Sequence, residues 1–360
     1  MKQGFIKTAA GSVGITVADT SSNAGRITER ISEADRSGVN LLVLPELCLT
    51  GYTCGDLFLS DALLDSVEPS LEKICADTAG AYPVTVLGLP FRYLGKLFNC
   101  AAVIHGGRIL GLVPKTYIPG YGEFYEARQF SSGKILGDDV RTVKLCGQNV
   151  PFGNGIVFRH EALRDYSFGI EICEDLWVPC PPCERLTASG ANIICNPSAS
   201  DEVIGKEGYR RLLVSSTSAR LACGYVYSNA APSESTQDMV FSNHHIIAEN
   251  GTLLAENRPF EENGLIVSEI DVARLTHERH RLTTYDVVPG GYEVIFPQEI
   301  RETELTRHFD RNPFVPPHDA QINERAGAIL RIQSYGLKKR LEHARAKTAV
   351  IGISGGLDST

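Results

Sequence analysis

Five short apolar runs, at 41–44, 84–89, 166–172, 191–195 and 224–228, alternate with stretches of helical spacing. Runs of this length bounded by turn formers read as strands buried on both faces. Such strands bury themselves only when further layers cover the sheet, so the alternation predicts an α/β fold. Ile27, Ile31 and Ala34 form one helical stripe, and Leu63, Val67, Leu71, Ile74 and Cys75 form a second. Residues 209–222 read as a third helix after a polar loop. Two hairpins are expected, one turning at Gly106-Gly107 and one at Asn250-Gly251. They make the sheet mixed.

The irregular stretch 286–318, with Pro289-Gly290-Gly291, Pro297, Pro313 and Pro316-Pro317, is the best boundary. We therefore expect a main domain at 1–285, a linker at 286–318, and at 319–360 the start of a second domain. That start comprises a helix over 320–345, a strand over 348–353 and the turn Ser354-Gly355-Gly356-Leu357-Asp358-Ser359. A buried strand opening into such a turn aims backbone N–H groups and hydroxyls at one place, which suits an anion such as phosphate.

A formal charge of -8, with no long acidic or basic block, favours neither nucleic acid nor an anionic membrane as partner. A small substrate is expected instead. The first residues lack a basic segment followed by an apolar core, and no apolar run is long enough to span a bilayer. The expected location is the cytoplasm. Ten cysteines are too few in 360 residues for a disulfide scaffold, and most should be buried apolar groups.

Three residues follow strand ends. Glu46 stands in Leu44-Pro45-Glu46-Leu47, where proline ends the strand; it is either a solvated loop glutamate or a general base. Lys115 follows Pro114 and is either solvated or the positive charge beside a developing oxyanion, with Glu123 a candidate to hold it. Cys173 follows Phe168-Gly169-Ile170-Glu171-Ile172 and precedes Glu174-Asp175-Leu176-Trp177; alone, such a cysteine is more often packing than nucleophile.

Together, the ordered motifs Leu-Pro-Glu, Pro-Lys-Thr-Tyr and Glu-Ile-Cys-Glu-Asp closely resemble the nitrilase or carbon-nitrogen hydrolase superfamily over nearly all of 1–285. The resemblance implies an α-β-β-α sandwich. The terminal loop resembles the pyrophosphate-binding loop of N-type ATP pyrophosphatases, so the opening of a Rossmann-like domain is implied after the linker. The combination looks like the glutamine-dependent NAD(+) synthetase family, in which a nitrilase-like glutaminase precedes an ATP-using synthetase domain.

By that resemblance Glu46 is the proton acceptor, Lys115 the second catalytic residue and Cys173 the nucleophile, with the Glu174 backbone N–H at the oxyanion. Tyr121, Ser200 and Lys206 contact L-glutamine. Ser354, Gly355, Gly356, Asp358 and Ser359 face ATP, with Asp358 near Mg2+, while the glutaminase needs no metal or other cofactor. Deamido-NAD(+) is the implied second substrate of the full-length enzyme, and a homo-oligomer is the implied assembly. An independent amidase on a small amide or carbamoyl compound is the main alternative, and a non-catalytic scaffold of the same fold is another.

Cys180 and Cys183 have CxxC spacing but no second pair, so a surface loop is favoured over zinc or redox work. His244 and His245 are adjacent in a strand pattern and should point to opposite faces, which suits structural roles.

Overall fold

The computed structural model describes residues 4–261, 264–314 and 319–357. They fall into two compact units, Met1–Arg307 and His308–Thr360. In the first unit the order is β1 (Phe5–Ala10), α1 (Thr20–Arg36), β2 (Leu41–Val43), α2 (Asp61–Asp77), β3 (Val84–Tyr93), β4 (Lys96–His105), β5 (Arg108–Pro114) and α3 (Glu126–Gln129). There follow β6 (Arg141–Leu145), β7 (Gln148–Phe152), β8 (Ile156–His160), β9 (Ser167–Ile170), α4 (Pro182–Ala188), β10 (Ile193–Pro197), α5 (Lys206–Arg220) and β11 (Gly224–Ser228). The unit closes with β12 (Ile246–Glu249), β13 (Thr252–Glu256), β14 (Ile266–Asp271), α6 (Val272–Arg281) and β15 (Tyr292–Phe296).

The strands build two mixed sheets, an eight-stranded one in the order β14-β1-β2-β3-β4-β5-β7-β6 and a seven-stranded one in the order β13-β12-β11-β10-β9-β8-β15. Because side chains alternate along a strand, each sheet serves two apolar layers. Leu41, Val43, Val84, Val86, Ala101 and Val103 meet Phe158, Phe168, Ile170 and Ile193 between the sheets. Leu42, Leu44, Leu87 and Leu89 face Ile27, Ile31, Val67 and Leu71 of α1 and α2. On the far side Val157 and Ile194 meet Leu186 of α4 and Val214 of α5. The result is an α-β-β-α sandwich, and burial on both faces explains why the strands read as continuous apolar runs.

Both expected hairpins form, as β4–β5 and β12–β13. Three expectations need correction. The helix read at 209–222 starts earlier, at Lys206, behind Gly205 in the left-handed region. The expected linker contains β15, which pairs in parallel with β8 and puts Phe296 into the inter-sheet core. The first unit also runs on to Arg307, because two buried glutamates hold its end: Glu269 accepts from the Thr306 and Arg307 backbone N–H groups, and Glu249 accepts from the Arg307 guanidinium.

The second unit contains α7 (Asp319–His343), close to the helix expected there. No strand forms at 348–353, where Val350, Ile351 and Ile353 are exposed. A buried strand needs ladder partners and covering layers, and no other strand of this unit is among the described residues. Ser354, Gly355 and Gly356 occupy an exposed turn, while Asp358 and Ser359 lie outside the described residues. No helix among the described residues is long and apolar enough to cross a membrane.

Gly88 of β3 lies directly beneath the loop that carries Glu46. A Cβ there would come 2.1 Å from the Leu47 nitrogen and 2.6 Å from the Glu46 carbonyl carbon, both backbone atoms that cannot swing aside. Gly88→Ala is therefore expected to displace Glu46 and to cost about 1–3 kcal/mol, the usual range for overpacking, read as a lowered melting temperature.

Candidate active site

The site is assembled at strand ends, where the chain leaves a rigid sheet. Pro45 ends the run after β2, and Leu47 takes a positive φ of 50°, so the chain turns sharply with Glu46 inside and 1% exposed. Lys115 directly follows β5 and is fully buried. Cys173 opens a single 3-10 turn, Cys173–Leu176, just beyond β9, and itself has a φ of 46°. A non-glycine residue in that region is strained, and the strain accompanies a sharply turned position for the thiol.

Lys115 Nζ donates to Glu46 Oε1 at 2.6 Å and to Glu126 Oε1 at 2.6 Å. The sequence suggested Glu123 for the second contact. The residue that makes it is Glu126, because α3 begins there and turns this side chain inward, while Glu123 remains part-exposed in the preceding loop. Tyr52 Oη donates to Glu126 Oε1 at 2.8 Å, and Asn99 Nδ2 donates to Glu46 Oε1 at 2.6 Å. None of Glu126, Asn99 and Tyr52 was singled out from sequence. Asn99 did carry a signal, as a polar residue inside the apolar stretch 97–104.

The Ala199 backbone N–H donates to Glu46 Oε2 at 2.8 Å. The same peptide group lowers the Cys173 thiol pKa slightly, and Glu46 and Lys115 both act on that thiol. Burial pushes the Cys173 thiol well above its usual value, Glu46 adds to this and Lys115 opposes it. The sulfur is held as a thiol and needs a base to become nucleophilic. Burial alone would lower Lys115, but Glu126 and Glu46 outweigh it and keep the ammonium charged. Burial lifts Glu126 to about 7, against the pull of Lys115 and with a further push from Glu46.

Asp175 locks the cysteine turn to the lysine loop, accepting from the Ile172 N–H at 2.9 Å and the Tyr117 N–H at 2.7 Å. Tyr121, largely exposed, donates through its hydroxyl to Glu174 Oε1 at 2.8 Å, beside Cys173. Ser200 is buried next to Ala199 and exchanges hydrogen bonds with the Asn229 side chain. Lys206 pairs with Asp201, and its ammonium lies 5.5 Å from the Phe124 ring and 5.6 Å from the Trp177 ring.

The CxxC pair is divided, with Cys180 exposed and Cys183 buried against Glu171. His244 and His245 enter separate networks just before β12 rather than inside a strand. His244 joins Arg210 and Glu256, and His245 joins Asn229 and Asn243. Glu207, His244 and Glu256 approach one another closely enough for a metal, but Arg210 engages the His244 Nδ1 and Arg211 pairs with both glutamates.

Residues 7–279 match the carbon-nitrogen hydrolase family. The chain belongs to that family. Among its relatives, a glutamine-dependent NAD(+) synthetase of Mycobacterium tuberculosis (strain ATCC 25618 / H37Rv) is 37% identical over 371 residues, which cover 100% of this chain and 54% of the relative. A solved glutamine-dependent NAD(+) synthetase from Cytophaga hutchinsonii shares 30% identity with a TM-score of 0.66, over 78% of this chain and 46% of that one. An amidase from Nesterenkonia sp. shares the fold, with a TM-score of 0.57 at 19% identity over 78% of this chain and 97% of its own. The chain thus spans about half the length of the NAD(+) synthetase relatives it matches.

Proposed function

We propose that this chain is the glutamine-hydrolysing part of a glutamine-dependent NAD(+) synthetase. The observation that carries the reading is the convergence of Glu46, Lys115 and Cys173, with Lys115 donating to Glu46 and both acting on the Cys173 thiol. The choice of glutamine over another amide rests on the identity to the mycobacterial synthetase across the whole of this chain.

Glu46 takes the Cys173 proton, and the sulfur attacks the side-chain carbonyl of glutamine. The tetrahedral oxyanion is stabilised by the Lys115 ammonium and the Glu174 backbone N–H. Protonated Glu46 then delivers its proton to the departing ammonia, leaving a thioester. Water activated by Glu46 hydrolyses the thioester, which releases glutamate and restores the thiol. Tyr121, Ser200 and Lys206 hold the amino-acid end, with the Lys206 ammonium suited to the α-carboxylate. Every step uses side chains and backbone already in the site, so we propose no metal or other cofactor for this half. Glutamate release from glutamine, compared with ammonia release from a short aliphatic amide, tests the assignment. Preference for the aliphatic amide would favour an independent amidase.

In the full-length protein we propose that the ammonia amidates deamido-NAD(+) after ATP adenylates its carboxylate, with Ser354, Gly355, Gly356, Asp358 and Ser359 at the ATP phosphates, where Asp358 would hold Mg2+ to neutralise phosphate charge. We also propose a cytoplasmic homo-oligomer, and the ten free thiols fit a reducing compartment. Incubating residues 1–360 with ATP, deamido-NAD(+) and ammonia is expected to give no NAD(+), because one loop cannot form an adenine site.

Glu126 sets an expected pH limb. As pH falls through about 7 Glu126 becomes protonated. Lys115 then has one anionic partner, draws harder on Glu46 and weakens it as a base. Glutaminase kcat should therefore fall on the acid side of pH 7. Glu126→Gln, a permanent mimic of the protonated form, should be slower at pH 8 and lack this limb.

A further inference from the structure

From the backbone of the Cys173 turn a chain of buried hydrogen bonds runs through the second sheet. The Cys173 backbone N–H donates to Asn196 Oδ1 at 3.2 Å, Asn196 Nδ2 donates to Tyr225 Oη at 2.9 Å, and Tyr225 Oη donates to Glu171 Oε1 at 2.5 Å. The other carboxylate oxygen of Glu171 accepts from the Cys183 N–H at 2.8 Å, and Ser198 Oγ adds a second donor to Asn196 Oδ1 at 2.6 Å. Glu171, Asn196 and Tyr225 are each at most 1% exposed.

The three donors that link Cys173 to Glu171 point the same way, from the Cys173 amide towards the carboxylate. Each link polarises the next, and in a low-dielectric interior such a chain is stronger than its separate bonds. A buried carboxylate is costly unless its oxygens are satisfied, and nothing in the amide-hydrolysis scheme uses Glu171. Its place is explained by what it anchors. The Cys173 amide belongs to a residue held at a φ of 46°, which has to be fixed from outside its own turn. The same bond occupies the Cys173 N–H and leaves the oxyanion to the next amide, that of Glu174.

We infer that Asn196, Tyr225 and Glu171 form a positioning relay that holds Cys173 in its left-handed turn and thereby sets the reactivity of the thiol. The inference rests on Cys173 being the nucleophile, but not on which amide it attacks. None of the three is among the residues proposed to contact glutamine. The relay acts on the rate of the chemical step and leaves substrate binding alone.

The test combines two readouts, the rate of Cys173 alkylation by iodoacetamide, followed by peptide mass, and the kcat and KM for glutamine. Tyr225→Phe is expected to slow both alkylation and kcat about tenfold to a hundredfold with KM within twofold of the parent. Asn196→Asp keeps an acceptor for Cys173 but loses the donor to Tyr225, and should slow both in the same direction. Glu171→Gln keeps an oxygen for the tyrosine hydroxyl but loses the charge and the acceptor for the Cys183 N–H, and should slow both by less than Tyr225→Phe does. Folded Tyr225→Phe and Asn196→Asp proteins that alkylate at the parent rate would overturn the relay, as would a defect confined to KM. A parent that alkylates at Cys173, with the predicted variant effects, yet ignores glutamine would refute the glutaminase reading and leave the relay standing.

Discussion

Cys173→Ala is expected to abolish glutamine hydrolysis while leaving the fold intact. Removing the atom that forms the covalent bond takes away the pathway itself, and in enzymes whose groups act as a unit such losses are on the order of 10⁶-fold. The position is favourable for a clean test. The side chain is small, and alanine removes one sulfur from a buried site whose thiol is already pushed towards its neutral form. The melting temperature should change little and the glutamate released should fall to background. Appreciable turnover in a pure Cys173→Ala protein would mean that another residue forms the intermediate, or that none is formed.

Lys115→Met is expected to damage both stability and activity. The ammonium sits between Glu46 and Glu126, 2.6 Å from an oxygen of each, and all three groups are almost wholly buried. Methionine keeps much of the side-chain volume but leaves two desolvated carboxylates facing each other. Removing one partner from a buried ion pair costs about 3–5 kcal/mol, and losing an oxyanion donor costs about 10²- to 10³-fold in rate. In the variant the Glu126 carboxyl, already lifted by burial to about 7, loses the pull of Lys115 and rises further above its unfolded value. Stability from such groups is present at low pH and lost as pH rises through the folded pKa. The deficit relative to the parent should therefore shrink as pH is lowered from 8 towards 5, which thermal melts across that range would show. A deficit that is constant with pH would mean that lost packing, not the uncompensated carboxylates, dominates.

The fold was legible because its strands are buried on both faces. Continuous apolar runs such as 84–89 leave little choice but a covered sheet, and prolines after the runs placed Glu46 and Lys115 just beyond their ends. The partner of Lys115 was not legible. Glu123 and Glu126 lie three residues apart in the same aromatic and acidic stretch, and only the single turn of α3 decides which of them faces inward. Strand β15 was hidden for a related reason. Its short run Tyr292-Glu293-Val294-Ile295-Phe296 lies between Pro289-Gly290-Gly291 and Pro297, and the turn formers on either side hide it. The terminal stretch 348–353 shows the reverse failure, since its apolar run reads as a strand while pairing depends on residues elsewhere. The relay through Asn196, Tyr225 and Glu171 was illegible because it joins ends of β9, β10 and β11 that meet only in space.

Peptide mapping after incubation with 6-diazo-5-oxo-norleucine, a glutamine mimic that traps a nucleophilic thiol, addresses the central claim most directly. A single adduct is expected, on Cys173, and it forms more slowly when glutamine is present. An unmodified Cys173, or an adduct there that glutamine does not suppress, would contradict the assignment of this site to glutamine hydrolysis.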